Sequence, residues 1–176
     1  MFKDFNISPF KKNKPPVDSG YTTRTEINEL KKIPLNKSFV KKNDNIEAAF
    51  KKTAEDNNIK DYDKNIAAKL IKDSAPVILE LKKYHNRPRP YELDKNLKHF
   101  KMKSMETASY PSGHSVQGIL VAKVLGDKHP KAKSAFAKTG KNISYSRRVD
   151  LAHYKSDSKV GEELGNSMYK HIKNKI

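Results

Sequence analysis

A chain of 176 residues is long enough for one compact domain with a proper core, and too short for two of ordinary size. Hydrophobic residues make up only 35% and cysteine is absent, which excludes structural disulfides, thiolate metal sites and cysteine nucleophiles together. The formal charge of +17 is uneven: residues 95–150 carry 12 Lys and Arg against 3 Asp and Glu, whereas residues 61–94 carry 7 against 6.

Residues 1–43 hold Pro9, Pro15, Pro16, Gly20 and Pro34, three Lys-Lys pairs and little apolar periodicity, and read as a basic, extended N-terminal arm. Phe5, Phe10, Tyr21 and Phe39 are spaced as anchors, either on the folded domain or on a partner. Asp44 followed by Glu47 reads as an N-cap with a reciprocal carboxylate, opening a helix over 45–57. Asp61 caps the next, with Ile66, Leu70 and Ile71 inward. Pro76 either kinks that helix or opens a new one, Val77, Ile78 and Leu81 continue inward, and Lys82 falls near a helix end. Arg87 to Pro90 follows as an extended strap, and 91–110 as a loop.

Ser112 caps a helix over 113–126 with Val116, Ile119, Leu120 and Val124 as its buried stripe, ended by Gly126-Asp127. Pro130 opens another, with Ala132, Ala135, Phe136, Ile143 and Tyr145 inward and an interruption near Gly140. The last, over 156–173, repeats Val160, Leu164, Met168 and Ile172 at strict four-residue spacing. No convincing strand or internal repeat appears. The expected fold is all-α: a single-domain bundle of five to six helices over residues 44–176, preceded by the arm.

Three segments carry the chemistry. Lys82 is followed after six residues by Arg89-Pro90; Pro111-Ser112-Gly113-His114 forms a tetrad; Ser146-Arg147 precedes His153 and Asp157. Together they supply cations for a transferring anion, a nucleophile and a proton donor, as phosphoryl transfer requires. This order resembles the three-part signature of the phosphatidic acid phosphatase type 2 superfamily, over residues 82–165. Its soluble branch contains the class A bacterial acid phosphatases, and vanadium haloperoxidases share the site; Arg87 resembles an extra arginine of the acid phosphatase branch. Two departures stand out. Leu151 occupies a position usually glycine and Lys155 one often proline or glutamine, so a somewhat different backbone or a more closed wall is expected there.

The resemblance implies the following roles. His153 attacks phosphorus and becomes a phosphohistidine, while Asp157, one helical turn on, accepts the proton of its other ring nitrogen. His114 protonates the leaving oxygen and then activates water. Lys82, Arg89 and Arg147 clamp the phosphate, with the Ser112 hydroxyl and the backbone at Gly113 as further donors. No metal or cofactor is expected, although vanadate or phosphate could occupy the site. His85, His99, His129 and His171 read as structural or surface residues, and Tyr110 and Tyr154 as neighbours of the pocket.

The reading is of a metal-independent phosphomonoesterase acting on a small anionic phosphorylated substrate. The same residues would serve a vanadate-dependent haloperoxidase. A rival of another class is a basic nucleic-acid-binding or structural protein, of viral origin, that keeps the fold. Basic surface of this extent would also contact nucleic acid or an acidic membrane without specificity, and equally fits an AT-rich genome and a solvated face. The arm, or a second copy of the chain as a further partner, is expected to cover exposed core. With no apolar run of signal-peptide or bilayer-spanning length, the chain is expected to be soluble and cytoplasmic.

Overall fold

The computed structural model describes residues 1–100 and 105–175, which form α-helices, short turns and no strand. In chain order the helices are α1 (Ser8–Lys12), α2 (Tyr21–Lys31), α3 (Lys37–Asp44), α4 (Ile46–Asp56), α5 (Lys64–His85), α6 (Pro90–Leu93), α7 (Gly113–Lys128), α8 (Lys133–Val149) and α9 (Lys155–Ile172), with a 3-10 turn at Pro130–Ala132 before α8. The all-α expectation holds, but five to six helices is an undercount. The excess comes largely from the segment expected to be extended, which holds α1, α2 and most of α3.

Local signals explain that difference. Gly20 takes the extended conformation of an N-cap before α2, and the Asn36 side chain accepts from the Phe39 N–H to open α3. Neither helix is long enough to persist alone in water; each is held by burying one face. Ile27, Leu30 and Val40 are buried, and Phe2 joins the main core while Phe5 and Phe10 pack against it. The aromatic anchors therefore engage this same domain, except Tyr21, which is exposed.

α7 is the central element, packed against α8, α9 and α5. Close approach rests on glycines. A Cβ on Gly140 of α8 would lie 2.6 Å from the Gly118 carbonyl of α7, and one on Gly165 of α9 would lie 2.5 Å from the Val116 carbonyl. Gly140 does not interrupt α8; it lets α8 seat on α7. Replacing it with alanine is expected to keep the fold but cost about 1–3 kcal/mol. Thermal unfolding should show that as a midpoint lowered by about 2–12 °C.

Several boundaries shift. Asn45, not Asp44, caps α4, its side chain accepting from the Ala48 N–H. Asp63 rather than Asp61 caps α5. α5 runs unbroken through Pro76, which removes the N–H that would bond the Lys72 carbonyl; one position earlier the Ile71 carbonyl accepts from Gln117 Nε2 and Ser74 Oγ, tying this turn to α7. α5 stops at Asn86, whose left-handed backbone (φ 45°) an asparagine tolerates, and Arg87 to Arg89 then run as the expected strap. The loop expected over 91–110 contains the end of α6, and its residues 101–104 lie outside the described ones. α7 continues past Gly126 to Lys128, and Tyr145 faces outward at 40% exposure. The four-residue stripe of α9 is buried as expected.

No helix among the described residues is long and apolar enough to cross a membrane.

Candidate active site

The end of α5, the strap after it, the start of α7, the end of α8 and the α8–α9 connection converge on one point. His153 lies there, 2% exposed, in the electrostatic field of Arg89, Lys82, Arg147 and His114. Lys82, Arg89, His114, Arg147 and His153, expected from the sequence to share a site, are thus brought together. Burial, and then the neighbouring cations, hold the His153 imidazole well below its ordinary pKa, so the ring is neutral.

Its tautomer follows from its two neighbours. Nδ1 lies 3.2 Å from Asp157 Oδ2, an acceptor only, and so carries the proton. Nε2 lies 3.2 Å from Arg89 Nη1, a donor only, and so presents its lone pair. That is the form a nucleophilic imidazole needs.

Asp157 sits at the third position of α9 and is fully buried. Its Oδ2 accepts from the Tyr154 N–H (3.1 Å) and from Ser109 Oγ, and its Oδ1 accepts from Arg87 Nη1 at 2.7 Å. Arg87 is held in turn: its guanidinium stacks on the Tyr154 ring at 3.7 Å, and its Nη2 donates to Thr23 Oγ1 (3.2 Å) and faces Glu26 Oε2 (3.4 Å). Glu26, on α2, also accepts from the backbone and the hydroxyl of Ser156. A helix of the supposed arm therefore braces the His153–Asp157 pair. Glu26, Thr23 and Ser109 carry no motif, and nothing in their local sequence marks them.

Two of the three cations expected to clamp phosphate, Lys82 and Arg89, are tied to backbone oxygens. Lys82 donates to the carbonyl of Ala108 and lies 3.5 Å from that of Ser109; Arg89 donates to Thr107 O and Ala152 O, each at 2.9 Å. Burial, and then Arg89, lower the Lys82 pKa to about 7. A bound dianion would restore its proton, so affinity should fall as pH rises above about 7. Sulfate, dianionic throughout, is the suitable probe: its affinity is expected to drop by up to tenfold between pH 7 and 8, and the drop should vanish in Lys82→Arg.

Asp44, read from sequence as a helix cap, belongs to the site. Its Oδ1 accepts from Arg147 Nη1 at 3.0 Å and lies 3.5 Å from His114 Nε2, which also lies 3.0 Å from the Asp44 carbonyl. His114 and Arg147 hold its pKa below the usual carboxylate value against the opposing effect of burial. Asn45 won the cap because an amide loses nothing there, which left the Asp44 carboxylate for two cations. His114, second in α7, has its pKa lowered by burial and by Arg147, partly countered by Asp44. Arg147 also lies 3.7 Å from Asp150.

Ser112 and Gly113 occupy the start of α7. The Ser112 hydroxyl accepts from the N–H (3.4 Å) and the hydroxyl (2.9 Å) of Ser115, and its N–H donates to the Asp157 carbonyl at 3.1 Å. Its backbone thus ties α7 to α9. Tyr110 donates to the Asn13 carbonyl and so anchors the N-terminal segment. Leu151 has φ 58°, the left-handed turn that favours glycine, at about 1–2 kcal/mol for a side-chain-bearing residue. It is buried in a cluster with Ile27, Leu30, Leu97 and Tyr154, which offsets that cost. The backbone thus takes a turn that glycine would favour.

No family model matches the chain. Among curated proteins it is similar to the non-specific acid phosphatase of Salmonella typhimurium, 33% identical over 93 residues, 48% of this chain and 35% of that protein. It is likewise similar to that of Salmonella typhi, 34% identical over 93 residues with the same coverage. The matched part thus spans about a third of the length of these relatives. The kinship is a distant, partial homology to acid phosphatases.

Proposed function

We propose that this chain is a phosphatase that hydrolyses phosphate monoesters without a metal, through a phosphohistidine at His153. The observation that carries the reading is the Nδ1-protonated imidazole, held by Asp157 and aimed at a ring of buried cations. Nε2 donates its lone pair to phosphorus as the bond to the leaving oxygen breaks; His114 gives that oxygen its proton. Asp157 balances the charge that appears on the His153 ring. Water then attacks the phosphorus, losing a proton to His114, and the P–N bond breaks to free phosphate and neutral His153. Lys82, Arg89 and Arg147 offset the charge on the equatorial oxygens throughout.

The free enzyme must hold His153 neutral and His114 protonated, and both pKa values lie below 6.5. Catalytic efficiency is therefore expected to peak on the acid side of pH 6.5 and to fall as pH rises through the His114 pKa. The experiment is hydrolysis of a chromogenic phosphomonoester from about pH 4.5 to 8 with a chelator present, comparing the intact chain with His153→Ala. Turnover that survives the chelator and disappears in the variant supports the mechanism. No turnover in either protein removes it.

A further inference from the structure

We infer that the groove between α8 and α9, apart from the His153 pocket, is a binding site for a nucleoside phosphate. Arg147 and Asp157 are buried in the candidate active site, whereas the residues next to them, Arg148 and Ser158, line this groove together with Lys141, Tyr145, Lys155 and Lys159. Lys141, Tyr145 and Arg148 recur along α8 at intervals of four and three, and Lys155, Lys159 and Glu162 along α9 in the same way, so two helix faces oppose each other. The cavity between them is about 430 Å³, within the range of small-ligand pockets.

Its charge favours an anion. Glu162 is already engaged by Lys141 and accepts from Ser144 Oγ at 2.8 Å, leaving Arg148, Lys155 and Lys159 in excess; Lys155 has only an exposed contact with Glu29 at 3.8 Å. Two buried polar atoms point the same way. Ser158 is 5% exposed and its Oγ meets no partner among the described residues, and neither does Arg148 Nε. A buried hydroxyl without a partner costs stability unless something completes it, and a phosphate oxygen would.

The ring component rests on Tyr145. It is 40% exposed, carries the Arg148 guanidinium over its ring at 4.9 Å, and meets Phe39 edge-on at 6.1 Å. An aromatic face backed by a cation beside lysines is a stacking platform for a base, with its phosphate on the lysines and Ser158. These observations are independent of the His153 reading.

The probes are adenosine 5′-(O-methyl phosphate), a diester that a phosphomonoesterase leaves intact, inorganic phosphate, and a ten-residue oligothymidylate. Each is titrated into the full chain at low salt by calorimetry or anisotropy. The diester is expected to saturate one site, and Tyr145→Ala and Arg148→Gln each to weaken it roughly tenfold, with circular dichroism and the chromogenic activity of both variants unchanged. Inorganic phosphate, which the His153 pocket would also take, is expected to bind at two sites, and Ser158→Ala, which removes only the hydroxyl, should weaken one of them. If the oligonucleotide binds far more tightly, with a log–log salt slope of about −2, the source is a polynucleotide; equal affinity indicates free nucleotides. Failure of the diester to saturate, or binding indifferent to Tyr145→Ala and Arg148→Gln, overturns the inference.

Discussion

Asp157→Asn is expected to lower phosphomonoester turnover by about 10³- to 10⁴-fold, the scale seen when the carboxylate that orients a catalytic histidine is neutralised. The amide keeps the size of the side chain and, with its oxygen on Arg87 Nη1, turns its NH2 toward His153, but it cannot balance an imidazolium. It can also present an N–H to His153 Nδ1, which would drive the ring proton to Nε2 and occupy the attacking lone pair. Loss should therefore fall on kcat with KM little changed. ¹⁵N shifts of His153 should report the proton moving from Nδ1 to Nε2. A turnover loss with the native tautomer intact would reduce Asp157 to a structural residue.

Arg87→Met is expected to be the most destabilising single change near the site. Arg87 is fully buried between two carboxylates, Asp157 at 2.7 Å and Glu26 at 3.4 Å. Removing it leaves both without their cation in a low-dielectric interior, at about 3–5 kcal/mol. For a chain of this length that lowers the unfolding midpoint by about 6–20 °C. Adding Glu26→Gln should recover part of the loss, because it removes one stranded charge; the double variant should be destabilised by less than the sum of the two. Strict additivity would show that Glu26 and Arg87 do not act as one unit. The coupling matters for function because Glu26 and Arg87 both grip the first turn of α9, where Asp157 sits.

Much of the site was legible in the chain. Lys82, Arg89, His114, Arg147, His153 and Asp157 stand at spacings that resemble a known three-part signature, and the structure brings the other five close to His153. The helices α7 and α9 were equally plain, since a Val116–Ile119–Leu120–Val124 stripe and a strict four-residue repeat reflect burial on one face, a property of neighbours in sequence. The domain division at residue 43 was a composition argument, and composition proved a poor guide to structure there. Lysine-rich, proline-broken sequence reads as extended, yet α2 packs Ile27 and Leu30 on Leu97, Leu151 and Tyr154, and α3 buries Val40 completely.

What local sequence could not disclose shares one physical cause. Asp44, Glu26, Thr23 and Ser109 are ordinary polar residues whose meaning lies in what stands opposite them, from 48 to 130 positions away along the chain. Asp44 was the harder case, because a cap is a sound local reading and Asn45 satisfies it equally well. Residue order alone determined the kinds of groups the site could hold and the helices that carry them. The tertiary structure decided which nitrogen of His153 faces the cations, which carboxylates are tied to Arg87 and Arg147, and that a left-handed Leu151 can be kept by packing. Each of these depends on burial and on distance through space, quantities that exist only once the chain has folded.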